Sequence, residues 1–325
     1  MAKQMKSLVI NLLERIYEKP ITQLEKKEGG VVNLVYSFVV DDEKKIIKIL
    51  TRKPNDEFER FRFMKVHEIL KKVKKDTDIA IPEIYFLETE KSEVGLSYIV
   101  MEQFQGEVLE NSWTELTILE KKAILNQFGQ ITGKIHSVKM DHYGEILQLS
   151  KNRHFKTWKE WIFNEINLSI TSLEEDKSIS YEVLQKARHY SEQHIDVITS
   201  SNPQLIHGDL NFTNLFISRK SEINIQGIID WEWCFAGSSR FEYHDIIETL
   251  EELEQKDKKE NSYVESFLET YPTELKPDPT IWLFEKRLYT ITKRLSCAAF
   301  GYVHHNPSPD YTEWIEKDVM KAVTD

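Results

Sequence analysis

Leu205-Ile206-His207-Gly208-Asp209-Leu210-Asn211-Phe212-Thr213-Asn214-Leu215-Phe216-Ile217 sets an aspartate and an asparagine five residues apart in a polar loop between two short apolar runs. Apolar runs of this length, bounded by Gly, Asn and Ser, predict small strands, and loops carried on rigid strands are where chemistry concentrates. Thirteen residues beyond Ile217, Asp230 closes another apolar run, Gly227-Ile228-Ile229-Asp230-Trp231. Taken singly, each of these polar residues is an ordinary turn residue. As a set they are not, because residue frequencies alone produce His-Gly-Asp-x-x-x-x-Asn roughly once in a thousand chains of this length.

Phosphoryl transfer calls for such a set. Its transition state is stabilised by positioning and charge neutralisation, with little covalent work for the protein. One carboxylate must orient the acceptor hydroxyl, a role that suits Asp209. A hard amide oxygen and a second carboxylate must hold Mg²⁺ against the phosphates, a role that suits Asn214 and Asp230.

Outward from the loop, the chain changes character near Gly106. Before it, residues 4–18 carry a helical stripe of Leu8, Leu12 and Ile16 that Lys19-Pro20 closes. Runs at 31–40 and 45–50 predict paired strands joined by Asp41-Asp42-Glu43, residues 55–73 predict a helix, and 82–87 and 96–101 predict further strands. After Glu110 the pattern is mostly helical: 115–138, 158–170, 181–199, 241–254, 263–271, 281–302 and 313–323. The expectation is an α+β protein with a first lobe at 1–104, about five strands around one helix, and a second lobe at 105–325.

Composition narrows the function. The net charge is −11, from 43 Lys+Arg against 54 Asp+Glu, which argues against a partner held through nucleic-acid phosphates. Residues 1–104 carry 19 basic and 18 acidic side chains, and 105–325 carry 24 and 36, so the excess sits in the second part. An acidic lobe favours a cationic partner, although a solvated acidic surface would look the same. Cys234 and Cys297 are the only cysteines and form no metal or disulfide spacing. Lys3, Lys6, Glu14 and Arg15 interrupt any leader at the N-terminus, and no apolar run approaches a membrane span, so a cytoplasmic enzyme is expected.

Residues 207–217 resemble the catalytic loop of the aminoglycoside phosphotransferase family, which groups with choline kinases and other small-molecule kinases in the protein-kinase-like fold. Residues 227–233 resemble that family's metal-binding strand end. The likeness covers most of the chain and implies a bilobal fold, with a five-stranded antiparallel sheet plus helix ahead of a larger, mainly helical lobe. It implies Asp209 as the catalytic residue and Asn214 and Asp230 as magnesium ligands.

It also implies a nucleotide site for ATP or GTP. Gly29-Gly30-Val31-Val32-Asn33-Leu34-Val35-Tyr36 resembles the glycine turn whose N–H groups approach the phosphates, with Gly29, Gly30 and Asn33 as contacts. Lys48, in a buried-looking strand, matches the lysine of the α- and β-phosphates, paired with a helix glutamate. Glu57, Glu59 and Glu68 are available, and Glu59 is the assignment. Tyr98 to Gly106 resembles the strand and hinge that bind the base through backbone groups, with Glu102 and Phe104 as contacts. Asp245 matches an aspartate that braces the catalytic loop. Where protein kinases carry Arg the chain has Gly208, and Asp230-Trp231-Glu232 replaces Asp-Phe-Gly with no Ala-Pro-Glu after it, which disfavours a protein kinase.

Aromatic and acidic residues crowd the segment after Asp230. Either Glu232, Trp233 and Glu242 hold a cationic acceptor, or the tryptophans pack beneath the metal site. His136, His154 and His244 are expected to be incidental. The first expectation is therefore Mg²⁺-dependent transfer to a hydroxyl of a small cationic molecule, an aminoglycoside antibiotic above all. Choline, another amino alcohol or a different metabolite is the second, and a catalytically idle binding module the third. The acceptor determinants are expected in 157–200 and the C-terminal helices.

Overall fold

The structure, a computed structural model, describes residues 2–27, 33–50, 61–89, 97–148, 153–199, 201–220, 222–257, 262–304 and 308–324. Gly29, Gly30, Glu57 and Glu59 lie outside the described residues. The chain forms two compact units, Met1–Lys134 with Ile146–Asn152 and Gly208–Cys234, and Ile135–Glu145 with Arg153–His207 and Phe235–Asp325.

The first unit opens with helix α1 (Ala2–Tyr17), whose Val9, Leu12 and Leu13 are buried. Each such side chain contributes roughly 1.5–3 kcal/mol on burial. Glu18 ends the helix with φ +53, just before Lys19-Pro20. Strands β1 (Thr22–Lys26), β2 (Asn33–Val40), β3 (Glu43–Leu50), β4 (Ile84–Glu88) and β5 (Tyr98–Glu102) form an antiparallel five-stranded sheet in the order β1-β2-β3-β5-β4. Asp41 and Asp42, at φ +52 and +61, make the two-residue turn between β2 and β3, the backbone form that matches strand twist. Tyr36, Phe38, Ile47 and Val100 pack with α1 in one core. Helix α2 (Arg62–Asp76) buries Phe63, Val66, Ile69, Leu70 and Val73.

Two more strands carry the loops of interest. β6 (Glu107–Val108) pairs with β10 (Leu215–Ser218), which pairs in turn with β11 (Asn224–Ile228), all antiparallel. Gly106 leads into β6 at φ +113, and a Cβ there would lie 2.1 Å from the Ile217 carbonyl oxygen, so only glycine fits this approach. This pairing explains why the chain does not divide once near residue 104. Segments 105–134 and 208–234 gather with the sheet in the first unit.

Helices α3 (Leu109–Ser112) and α4 (Ile118–Ser137) follow β6. The second unit holds a small sheet, β8-β7-β12-β9, built from β7 (Tyr143–Gly144), β8 (His154–Phe155), β9 (Gln204–Ile206) and β12 (Phe235–Gly237). Its helices are α5 (Trp158–Asp176), α6 (Tyr181–His194), α7 (Ser239–Asp257), α8 (Tyr263–Leu268), α9 (Pro279–His304) and α10 (Pro309–Thr324). Thr157 and Glu160 start α5 with a capping box, and Lys177, in the left-handed region, ends it. Trp158, Ile166, Tyr289, Leu295 and Val319 lie in one core joining α5, α9 and α10.

Candidate active site

The register of β2, β3 and β5 sets Val35, Lys48 and Ile99 in one row. Alternation along β3 buries Ile47 and Ile49 in the core with α1 and turns Lys48 to the opposite face. There it lines a depression with Phe63, Val66 and Leu70 of α2 and with Asp230 and Glu232. Lys48 Nζ donates to Asp230 Oδ1 at 2.9 Å and to Glu232 Oε1 at 2.8 Å. Burial pushes the ammonium down, yet the Glu232 and Asp230 carboxylates outweigh it and hold Lys48 above its ordinary value, so it stays charged.

Glu232 is the organiser of this cluster. It is 6% exposed, it accepts from Asn33 Nδ2 at 2.6 Å, and it lies 3.7 Å from the Arg62 guanidinium at the start of α2. One carboxylate thus gathers the first residue of β2, the lysine of β3 and the first residue of α2. Among the described residues, Asn33 Oδ1 is buried without a hydrogen bond. Glu68, the alternative helix glutamate, sits half exposed 3.5 Å from Lys71.

In the loop after β9, the Asp209 carboxylate is held from two sides. Asn211 Nδ2 donates to its Oδ1 at 2.8 Å, and Asn214 Nδ2 donates to its Oδ2 at 3.0 Å and to its main-chain oxygen at 2.8 Å. The Ile229 N–H donates to the Asn214 carbonyl at 3.0 Å, which ties this loop to the strand end carrying Asp230. Asp230 has φ +65, a conformation that strains a residue with a side chain. Trp231 braces the turn by donating its indole N–H to the Ile228 carbonyl at 3.1 Å. Gly208 has φ +82, and a Cβ there would lie 2.3 Å from the Trp233 carbonyl oxygen. That close approach is the physical reason no arginine stands here.

The donor set fits Mg²⁺. Asn214 directs its amide nitrogen to Asp209, so its amide oxygen is the atom that could take a metal ion. The Asp230 side chain is 35% exposed. One carboxylate and one amide oxygen, completed by phosphate oxygens and waters, is the coordination Mg²⁺ usually takes.

A model of a phosphotransferase enzyme family (APH) matches residues 24–243. The chain belongs to that family. Among solved structures, the aminoglycoside phosphotransferase APH(4)-Ia, in a ternary complex with ADP and hygromycin B, superposes with a TM-score of 0.69 at 17% identity, covering 97% of each chain. A candidate fructosamine-3-kinase of Haemophilus somnus gives 0.63 at 16% identity, over 97% of this chain and 95% of that one. These likenesses show the fold. A clavilactone A biosynthesis cluster protein of Ampulloclitocybe clavipes is 22% identical over 62% of this chain and 58% of its own. A subtelomeric hrmA-associated cluster protein of Aspergillus fumigatus is 33% identical over 21% of this chain, a match spanning 14% of that protein.

In this phosphotransferase the segment expected to bind the base continues from β5, an interior strand of the sheet. The Glu102 N–H donates to the Glu83 carbonyl at 2.8 Å and the Gln103 N–H to the Lys44 carbonyl at 3.4 Å. Phe104 covers Gly227 so closely that a Cβ on Gly227 would lie 2.2 Å from the ring. Trp233 is 39% exposed, with the Arg62 guanidinium 5.1 Å from its ring centre, within cation–π range. Trp231, by contrast, is core.

Glu242 lies in α7, 2% exposed. It accepts from His136 Nε2 at 2.9 Å and from the His207 N–H at 3.3 Å, and His136 Nδ1 pairs with the Tyr271 hydroxyl at 2.9 Å. Glu242 therefore braces His207, which enters the loop that carries Asp209. Asp245, expected in that position, pairs with Lys293 at 2.6 Å near the surface. Sequence reasoning passed over Asn211, Arg62 and His136 as contributors. Asn211-x-Thr213 is a recognisable side-chain turn, whereas nothing local marks His136 as the partner of a glutamate 106 residues away.

Proposed function

We propose that this phosphotransferase moves the γ-phosphoryl group of ATP or GTP to a hydroxyl of a small cationic molecule, with an aminoglycoside as the first acceptor class. The carrying observation is the convergence in one compact unit of Lys48 on Asp230 and of Asp209 on Asn214, joined through the Ile229–Asn214 backbone bond. A binding module has no chemical need for that set. The hygromycin B complex of the APH(4)-Ia neighbour supports the acceptor class. In a cytoplasm exposed to such antibiotics the activity would confer resistance.

The acceptor oxygen attacks the γ-phosphorus, the bond from that phosphorus to the β-bridging oxygen breaks, and the nucleoside diphosphate leaves. The acceptor's hydroxyl proton passes to Asp209. Lys48, kept charged by its carboxylates, neutralises the α- and β-phosphates, and the backbone of the segment from Glu102 to Phe104 binds the base. Asn214 and Asp230 would hold Mg²⁺, which supplies charge neutralisation on the phosphates when bound.

The test is direct. The protein is incubated with Mg²⁺ and γ-labelled ATP or GTP against a panel of aminoglycosides, choline, other amino alcohols and fructosamines. Labelled acceptor is expected, with Asp209→Asn lowering kcat by roughly 100-fold or more, as expected for loss of a positioned general base. No transfer to any acceptor, or an unaffected Asp209→Asn variant, would sink the proposal.

A further inference from the structure

Asn211 makes an unusual set of bonds for a loop asparagine. It caps the 3₁₀ turn Phe212–Asn214, its Oδ1 accepting from the Thr213 N–H at 2.9 Å and from the Thr213 hydroxyl. Its Nδ2 then donates to Asp209 Oδ1 at 2.8 Å. The turn decides which way the amide faces. A backbone N–H can be answered only by the amide oxygen, so the NH₂ group has one direction left, toward Asp209. Asn214 holds the other carboxylate oxygen. With an amide on each oxygen, the plane of the Asp209 carboxylate is fixed from both sides.

Resting on the phosphotransferase reading above, we infer that Asn211 is a positioning residue for Asp209, orienting the carboxylate that receives the acceptor's proton. Asn214 cannot do this alone, because it also answers the Asp209 main-chain oxygen and supplies the metal's amide oxygen. A fixed carboxylate matters because misplacing a reacting group by about 1 Å costs on the order of 100-fold in rate.

Two substitutions separate the turn from the donor. Asn211→Asp keeps a capping oxygen for Thr213 but puts a carboxylate oxygen where Nδ2 stood, facing Asp209. Asn211→Ser keeps a weaker cap and presents nothing to Asp209. If Asn211 served only the turn, the aspartate variant would be the milder of the two. If it positions Asp209, the aspartate variant is the more severe. The expected result is a kcat lowered roughly 10-fold in Asn211→Ser and roughly 100-fold in Asn211→Asp, on the scale of losing one charge-assisted hydrogen bond and then reversing it. Nucleotide KM and thermal midpoint should stay close to those of the unaltered protein. The reverse order, or losses that fall on KM and midpoint, overturns the inference.

If the unaltered protein transfers nothing to any acceptor, the phosphotransferase reading is what fails. Asn211 is then judged by side-chain amide hydrogen exchange in ¹H–¹⁵N spectra. Its Nδ2 protons should be protected in the unaltered protein and lose protection in Asp209→Ala. Equal exchange in the two overturns the inference independently of activity.

Discussion

Lys48 sits where an ammonium would be costly without partners, and two carboxylates within 2.9 Å make the place tolerable. The dependence runs both ways. Glu232 is buried, so removing the lysine strands a carboxylate beside Asp230 and leaves Arg62, at 3.7 Å, as the nearest cation to Glu232 among the described residues. Lys48→Met should therefore cost stability as well as nucleotide affinity. Breaking a buried pair from one side costs roughly 3–5 kcal/mol, discounted here because Asp230 is partly exposed and Arg62 partly compensates. The expected outcome is a lower denaturation midpoint without ligand, and a stabilisation by Mg²⁺-nucleotide that is much smaller than in the unaltered protein. A Lys48→Met protein with the original midpoint and ligand response would show that the three side chains do not depend on one another. Asp209, Asn214 and Asp230 could be picked out from spacing because each lies at a strand end the sequence marks. The second carboxylate on Lys48 could not, since Glu232 reaches β3 from 184 residues away and competed in the sequence with nearer helix glutamates.

Helices were the legible elements. Those of the second unit carry apolar stripes, and the expected 158–170, 241–254 and 281–302 are each found, longer by several residues, as α5, α7 and α9. Capping extends α5, with Lys177 as its stop, beyond the point where its apolar pattern thins. Strands were less legible where short or polar. β1 buries only Leu24, and β7, β8 and β12 have two or three residues each, too few for a period of two to show. Helix α7 carries a pH dependence of its own. His244 is buried, its Nε2 2.9 Å from the Thr290 hydroxyl, and burial pushes its pKa down. Asp245 and Glu248 oppose that shift, while Lys286 and Arg294 of α9 reinforce it. A depressed pKa in the folded state means that the unfolded chain binds the proton first. The stability His244 provides is thus present above about pH 6.5, the ordinary histidine value, and is lost as pH falls toward the depressed one. His244→Gln can keep a bond to Thr290 and cannot titrate. Its midpoint should lie below that of the unaltered protein at pH 8, and the gap should narrow or invert by pH 5. Parallel midpoint curves across that range would remove His244 from the acid response.

Charge is the property of the whole molecule that bears on its acceptor. The 24 basic and 36 acidic side chains of residues 105–325, against a near balance in 1–104, give the chain its net −11. A surface field of that sign concentrates cations and repels anions, and salt weakens it as the screening length falls from about 10 Å at 0.1 M to about 3 Å at 1 M. The two substrates proposed here carry opposite charges, so they should respond to salt in opposite senses. For a polycationic aminoglycoside, kcat/KM should fall several-fold between about 50 mM and about 500 mM monovalent salt. A singly charged amino alcohol should lose less. For the anionic Mg²⁺-nucleotide the long-range field is unfavourable, and screening it should offset part of the salt-induced loss of the Lys48 contact, leaving a shallower slope. Steady-state kinetics with each substrate varied at saturating levels of the other measures both slopes. If the aminoglycoside slope is flat while the nucleotide slope is steep, the acidic excess is a solvated surface that plays no part in capturing the acceptor.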